Sequence, residues 1–140
     1  MAVAVEFRTG LADRLAYAAG WLRQAAAHRA RVRVAASAAD LAALDGLLWT
    51  AQPGDFIAHA TTREDGSYPP GLARTLIWLG SGPVPGDAPT LLLNLGADVA
   101  DLAGYSRIIE LVATAPEATA AGRQRWRWYQ AQGLTPTRPT

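Results

Sequence analysis

Residues 123–133, RQRWRWYQAQG, gather the densest chemistry in the chain: Arg123, Arg125 and Arg127 interleave with Trp126 and Trp128, and Tyr129 follows. A guanidinium is a planar fork that grips a carboxylate through paired hydrogen bonds, and a neighbouring aromatic ring can wall a pocket for an apolar group. The same groups also serve stacked single-stranded nucleic acid. Strict alternation would suit a strand with one arginine face and one tryptophan face. The surroundings predict a helix instead. Thr114-Ala-Pro-Glu117 has the form of a capping box with proline in the first turn, residues 118–121 are rich in alanine, and Gly133 suits a helix end. On a helix from a Thr114 cap to about Gln132, Arg123 and Arg127 share a face flanked by Trp126 and Gln130. Arg125 and Trp128 point elsewhere, and Trp128 or Tyr129 packs on a sheet beneath. A solvated basic face with core tryptophans satisfies the same spacing.

Other candidates for chemistry are weaker. His28 and His59 are the only histidines, cysteine is absent, and no HExxH-like spacing exists, so a metal site has little to draw on. His28 suits the positive charge favoured at a helix C-terminus, and His59 a hydrogen-bonded position at a sheet end. Asp98 and Asp101 follow a strand that reads as central, where α/β sites gather, yet neither has a nearby metal partner or nucleophile. No serine lies in a GxSxG elbow. GSGPVPG, residues 80–86, spaces glycines as a dinucleotide loop does, but Pro83, Pro85 and Pro89 lead into another strand rather than a helix N-terminus. All thirteen basic residues are arginine, so a lysine-bearing phosphate loop is ruled out. Nothing here argues for catalysis, and no cofactor is expected.

The elements that must position these residues follow from periodicity. Residues 3–7, 31–36, 56–60, 74–80, 90–96 and 106–113 read as strands, with 90–96 apolar enough to be central. Residues 10–30 read as a helix with Leu11, Leu15, Ala18 and Leu22 on one face. Ser37 and Asp40 open a second helix that runs to Thr50. A turn at 53–55, an exposed loop over 61–73 and a short helix over 98–104 complete the reading. The expected fold is a three-layer α/β/α arrangement on a mainly parallel sheet, Rossmann-like without a phosphate-binding loop, with residues 1–140 as one domain. At 140 residues the chain can bury a real core, and its 50% hydrophobic and 18% charged composition is that of a globular protein. MAVAVEFRTG lacks the form of a signal peptide, and no apolar run approaches the ~20 residues of a membrane span, so a cytoplasmic location is expected.

Charge is unevenly spread. The net value is +1, yet up to Glu117 nine arginines face all twelve carboxylates, a balance of −3, and the four arginines beyond it give +4. This asymmetry points to an anionic partner for the C-terminal end.

LDGLLWTAQPGDF, residues 44–56, raises a separate question. Leu44, Leu47 and Leu48 recur at helical spacing and read as core. Trp49 ends the helix and Phe56 opens the next strand. The pattern favours burying both aromatics; exposed, they would form an interface patch.

Two segments carry a resemblance that covers essentially the whole chain. LDGLLWTAQPGDFIAHA, residues 44–60, and RQRWRWYQAQG, residues 123–133, resemble those of the chi subunit of bacterial DNA polymerase III holoenzyme. The resemblance implies a non-enzymatic adaptor that supports DNA replication. It would bind the acidic, phenylalanine-ended C-terminal tail of single-stranded-DNA-binding protein and, on another surface, the psi subunit that connects it to the clamp loader. The tail site maps onto Arg123, Arg127, Trp126 and Val112. The psi surface maps onto Trp49 and Phe56, which the resemblance puts at the surface rather than in the core. Here Trp126 stands where a tyrosine is common and Arg127 where lysine occurs. The final LTPTRPT is not typical of the family, so the resemblance assigns no contacts there. A direct single-stranded nucleic-acid-binding module is the alternative function.

Overall fold

The computed structural model describes residues 3–50, 59–65, 67, 75–84 and 88–138. Among these residues six strands form one parallel sheet: β1 (Ala4–Leu11), β2 (Val32–Ala35), β3 (His59–Thr61), β4 (Ile77–Leu79), β5 (Leu91–Asn94) and β6 (Arg107–Ala113). Their order is β1-β6-β5-β2-β4-β3, and every pairing is parallel. β5 is interior, as its unbroken apolar run requires.

Among the described residues, three helices cover the two faces. α1 (Arg14–Ala27) and α2 (Ala38–Thr50) bury Ala18, Leu22, Leu44 and Leu48 against Val32, Val34, Ile77, Leu79 and Leu93 on one face. α3 (Pro116–Ala131) lays Tyr129, Trp126 and Trp128 on Val5, Phe7, Leu92, Ile108 and Val112 on the other. The result is the three-layer α/β/α fold expected from the alternation of elements.

Several boundaries differ from the sequence expectation. β1 runs on to Leu11, so Leu11 belongs to a strand, and α1 starts at Arg14. The signal for that start is Asp13, whose carboxylate accepts from the Ala16 amide at 3.0 Å. α2 opens where its Ser37 cap predicts, with Ser37 Oγ accepting from the Asp40 amide at 3.2 Å.

The cap of α3 lies at Ala115 rather than Thr114. Pro116 forces the residue before it out of the helical region, so Ala115, at φ −57° and ψ 142°, becomes the half-in position. Thr114 still belongs to the sheet end, where its amide donates to Leu11 O at 3.1 Å.

The helix expected over 98–104 is absent. Asn94 Oδ1 accepts from the Ala97 amide at 2.9 Å and Asn94 Nδ2 donates to Ala97 O at 3.0 Å, while Arg125 donates to Val99 O at 2.8 Å. These side chains take backbone groups that a helix would use, and so short a segment gains little from helix formation alone.

Leu47 is also corrected: it is 37% exposed, because Leu44 and Leu48 share the core-facing side of α2 and Leu47 is turned off it. Phe56, the turn at 53–55, the start of the 56–60 strand and residues 66 and 68–73 of the loop lie outside the described residues.

Candidate functional site

The alternating arginines of α3 divide between two tasks. Arg125 turns inward. Its guanidinium donates to Glu110 Oε2 at 3.1 Å, to Tyr129 Oη at 2.8 Å and to Val99 O at 2.8 Å, and it lies 4.8 Å from the centre of the Trp128 ring. Glu110, on β6, is 2% exposed, and it also accepts from the Tyr129 hydroxyl and from Asn94 Nδ2 at 3.0 Å. A buried carboxylate with this set of donors is compensated, and the network fixes how α3 sits on the sheet. Burial, and then the Glu110 charge, push the Tyr129 phenol well above its ordinary range.

Arg123 and Arg127 face the other way. Both are exposed, and none of the ion pairs among the described residues involves either of them. They rim an open groove of about 690 Å³ between α3 and the edge of the sheet. Its apolar wall is Phe7, Val112 and Trp126, with Gln130 alongside and Arg138 at the rim. The Trp126 ring is half-buried, tilted against Phe7 with centroids 5.0 Å apart, and Phe7 in turn meets Tyr129 edge-on at 5.9 Å. The wall is thus braced from the core outward. All four residues mapped onto the tail site, Arg123, Arg127, Trp126 and Val112, line this one groove.

Gly122 makes the arrangement possible. A Cβ there would stand 3.0 and 3.1 Å from the two Val112 methyls, so its absence lets α3 approach β6 closely. On the opposite side of α3, at the C-terminal ends of β5 and β6, a second groove of about 690 Å³ is lined by Asp98, Glu110 and Glu117. Its cations are both paired, Arg14 with Asp40 at 2.6 Å and Arg125 with Glu110 inside the groove itself, which leaves Asp98 and Glu117 as the lining charges outside any ion pair among the described residues. Equal in size, the two grooves are opposite in charge. An anionic ligand is favoured by the Arg123/Arg127 side and repelled by the other.

Sequence reasoning missed Phe7 and Arg138. Phe7 reads only as a strand residue. Arg138 had one signal, its place among the four arginines that make the C-terminal end positive.

Trp49, which the resemblance maps onto a second surface, belongs to α2 in the helical layer across the sheet from α3. Trp49 is 57% exposed, against the burial its spacing favours, and its ring meets that of His59 at 5.3 Å. His59 itself is buried, its Nε2 2.8 Å from Asp45 Oδ1, so it serves the sheet end as expected. His28 is the C-cap of α1, with Nδ1 3.0 Å from Gln24 O. Asp98 and Asp101 are exposed, and Asp101 accepts from the Ala103 amide at 3.0 Å. Among the described residues no three His, Asp or Glu side chains gather as metal ligands, and no helix is long and apolar enough to cross a membrane.

The comparison with known proteins agrees with the family resemblance. Over 91 residues, 64% of this chain, the sequence is 35% identical to DNA polymerase III subunit chi of Pseudomonas aeruginosa, and that match spans 59% of the relative's length. Residues 3–137 match the family model described as DNA polymerase III chi subunit, HolC, so the chain belongs to the family of DNA polymerase III chi subunits.

Proposed function

We propose that this chain is a non-catalytic adaptor of the replicase, which binds the acidic C-terminal tail of single-stranded-DNA-binding protein in the Arg123/Arg127 groove. Through the Trp49 surface it binds the psi subunit and so reaches the clamp loader; Phe56, assigned to that surface with Trp49, lies outside the described residues. The observation that carries the tail reading is a pair of uncommitted guanidiniums beside an open apolar groove, four residues apart on one helix, while the arginine between them is locked in the core.

The energetics favour a ligand with both a carboxylate and a bulky apolar group. Micromolar affinity needs about −8 kcal/mol. Exposed charge pairs supply up to ~1 kcal/mol each, so arginines alone fall short. A buried aromatic ring adds roughly 1.5–3 kcal/mol from area, with more from contact with Trp126 and Phe7. A carboxylate held bidentately next to that ring supplies a further charge-assisted increment. A phenylalanine at a peptide's C-terminus offers both groups on one residue.

Titration of an aspartate-rich peptide ending in phenylalanine tests the reading. The Arg123→Ala/Arg127→Ala variant is expected to lose at least tenfold in affinity at an unchanged melting temperature. Undiminished binding by that variant contradicts it. Single-stranded oligonucleotides form the control arm for the nucleic-acid alternative: binding tighter than the peptide's, with a steep salt slope, favours that alternative. The packing of Trp128 on Tyr129 and against Arg125 engages that ring internally and leaves Trp126 as the tryptophan of α3 that lines the groove, which weighs against a platform for successive stacked bases.

A further inference from the structure

The segment after α3 does more than end the fold. Thr137 forms a parallel bridge with Glu6 at the outer edge of β1. Its amide donates to Val5 O at 2.9 Å, its carbonyl accepts from the Phe7 amide at 2.8 Å, and its hydroxyl donates to Val5 O at 3.3 Å. β1 is an edge strand, so these bonds cover backbone groups that would otherwise face solvent. Leu134 packs into the cluster under α3, and its amide donates to Tyr129 O at 3.1 Å. The segment is therefore fastened at both ends, and the next residue, Arg138, is delivered to the rim of the groove. Arg138 is exposed and takes part in none of the ion pairs among the described residues.

We infer that Arg138 is a third ligand-binding arginine of the groove, held there by the Thr137 bridge, and that it pairs with an internal carboxylate of an acidic peptide. The terminal carboxylate is left to Arg123 and Arg127. The inference rests on the acidic-peptide reading of the groove. Its basis is geometric: Arg123 and Arg127 come from one helix face, whereas Arg138 comes from the strand edge that carries Phe7. A peptide with its terminal ring beside Trp126 and Phe7 has carboxylates upstream of that ring, and a cation on a different wall can meet one of them. Two sources of positive charge set apart in this way select for length and for acidic residues, not for a single carboxylate.

A double-mutant cycle tests this directly. The probes are an aspartate-rich peptide ending in phenylalanine and the same peptide with its aspartates changed to asparagines, both with a free terminus. Arg138→Ala is expected to weaken the aspartate peptide about three- to fivefold, the scale of one exposed pair, and to leave the asparagine peptide unchanged. Arg138→Lys keeps most of the affinity. Thr137→Pro removes the amide that bonds Val5; it is expected to reproduce the Arg138→Ala loss, and the two together to lose no more than either alone. Equal affinity of wild type and Arg138→Ala for the aspartate peptide overturns the role of Arg138. A wild type that binds neither peptide overturns the acidic-peptide reading and this inference with it.

Discussion

Three arginines two residues apart carry opposite duties because a helix turns 100° per residue. Arg125 compensates a buried carboxylate, whereas Arg123 and Arg127 are free for a ligand. Replacing Arg125 with alanine leaves Glu110 with one charge-bearing partner fewer in a water-poor site and is expected to cost about 3 kcal/mol of stability, read from denaturant midpoints. Replacing Arg123 or Arg127 is expected to leave those midpoints within ~0.5 kcal/mol. Tyr129 adds a pH dependence. Its phenol is held neutral beside Glu110, above the ordinary value of 10.0, so its contribution is complete below pH 10.0 and declines as pH rises past that value toward the raised folded-state value. Melting temperature should fall on the alkaline side of that point, and Tyr129→Phe should flatten the fall. A fall just as steep in the phenylalanine variant would contradict the assignment.

At the scale of elements, α3 is where local sequence and tertiary packing meet. Its helical nature was legible from the alanine-rich approach, the proline near its start and Gly133, and so was the sharing of a face by Arg123 and Arg127. Its first residue was not, because Pro116 acts on its predecessor and outweighs the Thr114 side chain. Ala115 is a cap without a side-chain acceptor. Ala115→Ser is therefore expected to stabilise the protein by about 1 kcal/mol, measurable as a raised melting temperature. The distance between α3 and β6 is set by Gly122 over Val112. Gly122→Val is expected to destabilise by roughly 1–3 kcal/mol through overpacking, and to weaken peptide binding because the same two residues line the groove. The missing helix over 98–104 was illegible for a related reason: Arg125, distant in sequence, takes the Val99 carbonyl, while the nearby Asn94 side chain holds both backbone groups of Ala97 just ahead of the segment.

Across the whole molecule, the sheet separates two surfaces. Trp49 projects from α2 in one helical layer, and the arginine groove borders α3 in the other. The layered fold and its parallel sheet followed from the alternation of strands and helices. The position of Arg138 did not, since it depends on hydrogen bonds between residues 5 and 137, a pairing that no local pattern announces. With the surfaces on opposite faces, Trp49→Asp is expected to abolish capture of the psi subunit while leaving peptide affinity unchanged, and loss of both would show Trp49 to be structural. The groove's grip on a peptide's terminal carboxylate can be measured on its own. Its most direct measurement compares an aspartate-rich peptide ending in phenylalanine with the same peptide amidated at its C-terminus. The free acid should bind at least tenfold more tightly to the wild type, and that advantage should vanish in Arg123→Ala/Arg127→Ala. Equal affinity of the two peptides for the wild type would contradict the account.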